Sequence, residues 1–130
     1  GGLRHGDVVT AVSHSGGTAE LIWLMEQLER RGELVPGDTP TEQVGVRLLA
    51  FTGNASSALA RRSSLALTCE VPPGSEALDL LPTSSVVATH HVFNAVMCEC
   101  AARLELTPAD VLRNHPGGAV GRDAAQLVNK

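Results

Sequence analysis

Three short runs of β-branched and aliphatic residues alternate with stretches of helical periodicity, and each run breaks at a turn rich in Gly, Ser, Thr or Pro. The runs are residues 7–13 (DVVTAVS), 44–52 (VGVRLLAFT) and 65–71 (LALTCEV). They are continuous rather than alternating in polarity, which is the pattern of strands buried on both faces. After the first run, Leu21, Ile22, Leu24, Met25 and Leu28 recur at helical spacing. Arg30-Arg31-Gly32 then places basic residues in a last turn with Gly behind them. Strand followed by helix followed by strand leaves few options. The expected class is α/β, a three-layer αβα sandwich on a mainly parallel sheet with right-handed crossovers.

The remaining segments fit that plan. Residues 33–43 (ELVPGDTPTEQ) read as a surface loop, and Gly53-Asn54 turns the chain into a short helix over 55–62. Pro72-Pro73-Gly74 stops the third run, and 75–81 is connector. Pro82-Thr83-Ser84-Ser85 opens the longest helix, striped by Phe93, Met97, Cys100 and Leu104 with Val92 and Val96 alongside. Apolar residues on more than one face of it, Val87 among them, predict packing on the sheet and on a second copy of the chain. Thr107-Pro108 reads as an N-cap with Pro at the first helical position, for a helix through Leu112. His115-Pro116-Gly117-Gly118 breaks that helix, and an amphipathic stretch over 122–128 ends the chain. A chain of 130 residues makes one domain with a core of useful size.

Composition narrows the function. Aromatics are 2% and the net charge is −4, which argues against a base-stacking or phosphate-backbone surface and so against nucleic acid. A small anion remains open, because helix N-terminal N–H groups bind phosphate without net positive charge. Cys69, Cys98 and Cys100 have no metal-like spacing and no disulfide pattern, so buried structural thiols in a reducing compartment are expected, with no metal and no cofactor. No apolar run is long enough to span a bilayer, and no signal peptide is evident; the cytoplasm is the expected compartment. The chain opens on Gly1-Gly2-Leu3 rather than Met, as an excised piece would.

In an open parallel sheet, ligands sit at the carboxyl ends of the strands. At the first such junction, Ser13-His14-Ser15-Gly16-Gly17-Thr18, three hydroxyls surround two glycines where a helix begins. Glycines admit an anion to the backbone, and N–H groups and hydroxyls donate to it. No Lys follows the glycines, so this is not a P-loop, and it is not GxGxxG. A capped turn is the plain alternative. Pro82-Thr83-Ser84-Ser85 repeats the chemistry with three hydroxyls where one would serve as a cap. Thr52-Gly53-Asn54-Ala55-Ser56-Ser57 reads chiefly as turn chemistry.

Taken in order, Ser13-x-Ser15-Gly16-Gly17-Thr18, Thr52-Gly53, Leu81-Pro82-Thr83-Ser84-Ser85 and the run from His115-Pro116-Gly117-Gly118 to Gly121-Arg122 resemble SIS-domain sugar-phosphate isomerases. The nearest likeness is to arabinose-5-phosphate isomerases, over residues 6–122. The resemblance implies that Ser13, Ser15, Thr18, Thr83, Ser84 and Ser85 hold a substrate phosphate. It implies that Glu20 lies near the sugar and that His115 is an acid/base group of the kind such enzymes bring to a neighbouring subunit's site. Glu76 corresponds to a family catalytic Glu across a gap of about two residues; without the gap Gly74 takes that place, and Asp79 is a substitute. The implied reaction is D-arabinose 5-phosphate to D-ribulose 5-phosphate, by proton transfer next to a carbonyl, for which a His near operating pH or an upward-tuned Glu is suited. Dimers or tetramers are implied as well.

Several positions depart from that family. Its first strand, with a Gly-rich Lys turn, is absent and would leave a sheet edge open. Phe93-Asn94 stands for a Gly-Asp pair, and His90-His91 stand for apolar residues, as surface or interface positions. The regulatory CBS pair would begin about where the chain stops. A phosphosugar sensor without chemistry is therefore the alternative to an isomerase. A dinucleotide-binding domain is disfavoured, because its Gly fingerprint and following acidic residue are missing.

Overall fold

The computed structural model describes residues 2–35 and 45–130. The elements run β1 (Val8–Val12), α1 (Ala19–Arg30), β2 (Arg47–Thr52), α2 (Ala58–Arg62), β3 (Leu65–Thr68), α3 (Ser84–Arg103), α4 (Pro108–Asn114) and α5 (Gly118–Val128). The chain divides into two compact units, Gly1–Val92 and Phe93–Lys130, with α3 continuing from one into the other.

In the first unit the described strands form a parallel sheet in the order β1-β2-β3. Ala11 pairs with Ala50, and Ala50 with Ala66, which sets the register across all three. One face is covered: Ala11, Leu48 and Ala50 meet Met25 of α1 and Leu59 of α2, with Val9, Leu21, Ile22, Leu34 and Ala66 around them. Leu59 is fully buried, so truncating it to Ala is worth about 2–5 kcal/mol. The mixed α/β class and the parallel sheet are as the alternation of runs predicts.

Burial on both faces holds for β2 alone. Phe51, Ala50 and Leu48 are all buried there. In β1 and β3, by contrast, Val8, Val12 and Leu65 are each more than half exposed. These residues lie on the sheet face opposite α1 and α2, at strand ends, and there the apolar run is not matched by cover. Apolar continuity therefore marks β2, the strand flanked on both sides, more faithfully than the two outer ones.

The second strand begins at Arg47; of its expected start, Val44 lies outside the described residues. Residues 36–43 of the expected loop also lie outside them. The ends of that segment are clamped, since the Val35 N–H donates to the Val46 carbonyl at 2.9 Å and the Val46 N–H to the Glu33 carbonyl at 2.7 Å. Leu34 and Val46 thereby form a parallel bridge, so residues 33–35 are not loop. Helix α2 starts at Ala58 rather than 55, because Ser57 caps it by accepting the Ala60 N–H at 3.1 Å.

In the second unit Thr107 and Asp110 make a reciprocal capping box at the start of α4, with Pro108 at its first position. Helix α5 begins at Gly118, earlier than its apolar pattern suggests. Its Gly121 packs on the preceding turn: a Cβ there would lie 2.4 Å from the His115 carbonyl oxygen. Among the described residues of α3, Ser85 alone is buried, and Phe93 and Met97 are exposed, as is Leu104 just beyond its end. The cysteines divide. Cys69 is buried as expected, but Cys98 and Cys100 are exposed, because the α3 faces that carry them are uncovered. No described helix is long and apolar enough to cross a membrane.

Candidate functional site

The first loop is built by its own hydroxyls. Ser13 is buried, accepts the Gly16 N–H on Oγ at 3.1 Å, and sits 2.8 Å from the Thr18 hydroxyl. Gly16 has φ +63° and is pressed against the next junction, where an added Cβ would fall 2.1 Å from Ser57 Oγ. Only glycine meets both conditions. The Ser15 hydroxyl accepts the Gly17 N–H at 3.3 Å. Thr18 stands at the N-cap of α1 without capping it by its side chain, so its hydroxyl serves the loop.

The second junction locks the first in place. The His14 carbonyl accepts from the Gly53 N–H at 2.9 Å and from the Thr52 hydroxyl at 3.2 Å. The His14 ring lies against Gly53, where a Cβ would be 2.3 Å from Cε1. Thr52-Gly53 is therefore turn chemistry with a purpose, which is to seat His14.

The third loop is organised around Glu76. Its Oε2 accepts the Thr83 N–H at 2.6 Å, the Thr83 hydroxyl at 3.0 Å and the Ser84 N–H at 3.0 Å, while Oε1 accepts the Ser85 N–H at 3.0 Å. The carboxylate thus covers the first turn of α3, where positive partial charge collects. The Ser85 side chain, then the Thr83 N–H, hold the Glu76 carboxyl down at about 2. Ser84 turns its hydroxyl away, donating to the Ser75 carbonyl at 2.6 Å. Between Glu76 and Pro82 the chain doubles back through Leu78 and Asp79, both with positive φ (57° and 54°).

These loops share one cleft of about 470 Å³, lined by Ser13, His14, Ser15, Thr18, Glu76, Asp79, Leu80, Pro82 and Ser85. Of the six hydroxyl residues expected to hold phosphate, Ser13, Ser15, Thr18 and Ser85 line it, whereas Thr83 and Ser84 are engaged with Glu76 and Ser75. Glu20 lines a different surface hollow with Ala19, Trp23 and Leu24. His115 belongs to the second unit, as the exposed C-cap of α4, its N–H donating to the Val111 carbonyl at 2.8 Å. Among the described residues no group of three His, Cys, Asp or Glu side chains is arranged to hold a metal ion.

His14 is the cleft residue that sequence reasoning passes over. The available signal was its place between Ser13 and Ser15 in the first loop. Its setting on Gly53 depends on a contact far along the chain, which no local pattern reports.

Comparison with known proteins agrees with this architecture. The SIS domain profile matches residues 2–98. Arabinose 5-phosphate isomerase KdsD of Pseudomonas aeruginosa is 33% identical over 122 residues, 94% of this chain and 33% of that protein. KdsD of Escherichia coli K12 is 32% identical over 123 residues, 95% of this chain and 34% of the relative. The chain thus spans about a third of the length of these curated relatives. Among solved structures, an E. coli CFT073 protein in complex with arabinose 5-phosphate superposes with a TM-score of 0.66 at 27% identity, over 83% of this chain and 50% of that one. A candidate sugar-phosphate isomerase from Listeria monocytogenes gives 0.71 at 23% identity, over 88% and 53%, a likeness of fold. Sequence profile, relatives and fold agree: this chain belongs to the SIS domain family.

Proposed function

We propose that the cleft binds the phosphate of a phosphosugar, and that the chain is the sugar-binding module of an aldose–ketose isomerase interconverting D-arabinose 5-phosphate and D-ribulose 5-phosphate. One observation carries the reading: hydroxyls of two separate loops, Ser13, Ser15 and Thr18 from one and Ser85 from the other, open into a single cleft at the carboxyl end of a parallel sheet. The names of the KdsD relatives and the arabinose 5-phosphate complex of the E. coli neighbour support the sugar. In this reading the hydroxyls and helix N-termini hold the phosphate. By family resemblance alone Glu20, which lines a separate hollow, is assigned to the sugar, and His115 and Glu76 are the acid/base candidates. Homo-oligomers and a cytoplasmic setting belong to the same proposal.

A second reading, a phosphosugar sensor without chemistry, is favoured by one observation. The Glu76 carboxylate is already engaged by the Thr83, Ser84 and Ser85 N–H groups and the Thr83 hydroxyl. Held below the ordinary carboxylate range, it is a poor proton acceptor at neutral pH, since acid/base groups work best near operating pH. Calorimetric titration with D-arabinose 5-phosphate and with unphosphorylated D-arabinose tests binding; equal affinity for the two defeats the phosphate site. Exchange of the substrate C2 hydrogen with solvent then separates the readings, because exchange requires a working base. Full turnover by His115→Ala would remove His115 from the mechanism.

A further inference from the structure

We propose that His14 is the cationic partner of the bound phosphate, a specificity-determining residue that makes the hold of the cleft on a phosphosugar depend on pH. The proposal rests on the phosphosugar reading of the cleft and adds what supplies positive charge there.

The lining of the cleft carries two carboxylates, Glu76 and Asp79, and no Lys or Arg. A sugar phosphate brings about −1.5 to −2 charge. Its entry adds a third anionic group, and like charges at close range repel. Ser13, Ser15, Thr18 and Ser85 offer hydroxyls but no charge. Of the lining residues, His14 alone can carry a positive one. A protonated imidazole donates from both ring nitrogens, and hydrogen bonds to ionised partners are roughly twice as strong as neutral ones.

His14 is held in place at both its main chain and its ring. The carbonyl accepts from the Gly53 N–H at 2.9 Å and from the Thr52 hydroxyl at 3.2 Å. The Nδ1–Cε1 edge of the ring lies nearest Gly53, 2.4 and 2.3 Å from where a Cβ would stand. Any residue but glycine would fill that seat. Neither ring nitrogen is hydrogen-bonded to another of the described residues, so the donors are free for a ligand.

Few charged groups face the ring from the elements around it. The Thr52–Asn54 turn and the first loop contribute none. The start of α1 brings Thr18 to the cleft, while its Glu20 lines a separate hollow. The first turn of α3 brings Ser85 and no acidic residue. Arg61 and Arg62 of α2 are engaged with the Ser56 carbonyl and with Glu26. Glu76 and Asp79 remain, and Glu76 is occupied by the Thr83, Ser84 and Ser85 N–H groups. An incoming phosphate therefore carries more charge than either anion already facing the ring. Imidazole changes its charge between about pH 5 and 8. Linkage is reciprocal: a proton on His14 tightens phosphate binding by the factor by which phosphate tightens the hold on that proton. His14 is exposed, so solvent and salt screen part of the attraction.

Calorimetric titration of D-arabinose 5-phosphate into the wild type and His14→Gln, as full chains at about pH 5.5 and about pH 8, tests this. Protonation of the ligand itself is the same for both proteins at each pH and cancels in the ratio of their affinities. The wild type is expected to bind about tenfold more tightly than the variant at the acid pH and nearly equally at the alkaline one, the acid-side ratio shrinking in high salt. In the wild type alone, the His14 ring proton signals in NMR spectra are expected to titrate about one pH unit higher with the ligand bound, a readout that needs no variant to fold. An affinity ratio equal at both pH values, or ring signals whose titration the ligand leaves unmoved, makes His14 a spacer of the loop and overturns the proposal while the phosphosugar reading stands. Absence of arabinose 5-phosphate binding by the wild type at either pH overturns that reading and the proposal with it.

Discussion

The hydroxyls of Ser13 and Thr18, on either side of Gly16-Gly17, meet at 2.8 Å across the first loop. Two hydroxyls bring two protons, and one bond between them uses only one. Ser13 is buried and already accepts from Gly16. Ser13 donating to Thr18 leaves the exposed Thr18 O–H directed to the cleft. The pair braces the turn, and in the proposed phosphate site it would also offer a donor.

Ser13→Ala is therefore expected to act twice. It removes one of the two acceptors of the Gly16 N–H, the Ser13 carbonyl remaining at 3.0 Å, together with the partner of Thr18, with a stability loss of about 1 kcal/mol in denaturant unfolding. It is also expected to weaken arabinose 5-phosphate binding about tenfold, which corresponds to about 1.4 kcal/mol. Unaltered affinity with lowered stability would leave Ser13 a structural residue only.

Gly16→Ala meets two obstacles at once, a φ of +63° and a Cβ 2.1 Å from Ser57 Oγ and 2.3 Å from Ser57 Cβ. Left-handed strain and overpacking together are expected to cost about 2–5 kcal/mol. Adding Ser57→Ala leaves the 2.3 Å carbon contact and forfeits the α2 cap, so stability does not return. Adding Ser57→Gly recovers part of it. Full recovery with Ser57→Ala would show that the collision involves the hydroxyl alone.

The pH dependence of stability follows from the direction of the Glu76 shift. Its carboxyl sits at about 2 in the folded chain against an ordinary value of 4.5, so the folded state favours the ionised form. The stability this supplies is fully present above about 4.5 and is lost as pH falls from there toward about 2. Asp110 behaves alike in the second unit, lowered from 3.8 to about 2 by the Thr107 hydroxyl, then the Thr107 N–H and Arg113. Thermal midpoints measured across this range for Glu76→Gln, Asp110→Asn and the double variant are expected to show successively flatter acid limbs. An acid limb of wild-type steepness in the double variant would assign acid sensitivity to other groups.

Thiol labelling separates the cysteines. Cys98 and Cys100 are exposed on α3, whereas Cys69 is buried beside β3. Two thiols are expected to react with a water-soluble disulfide reagent in the native protein, and the third only on unfolding. A single rate for all three would contradict the uncovered faces of α3.

Much of this was legible from residues alone. The β→α junctions gather at one edge, because a parallel sheet delivers every such turn there, and both hydroxyl loops do line one cleft. The capping box at Thr107 was half visible as Thr followed by Pro, and Asp110 completes it. What stayed hidden depends on contacts distant in sequence or on exact chain length. The partnership of Glu76 with Thr83, Ser84 and Ser85 requires the chain to double back over 77–81, which no periodicity reports. The role of Gly53 against His14 is likewise invisible, since it is a matter of one absent methyl group. Apolar runs also overstate burial: Val8 and Leu65 read like Leu48 in the sequence but face solvent.

The clamp between residues 33–35 and Val46 has a practical consequence. Both ends of the intervening segment are fastened by main-chain bonds at 2.9 and 2.7 Å, and an added Cβ at Gly45 would strike Val35 at 1.8 Å. The sheet thus meets a closed gate, whatever chain joins the posts. A fluorophore-binding tag or a second domain joined at Val35 and Gly45 is therefore anchored by the sheet itself, at a site separated from the candidate cleft by the length of β2.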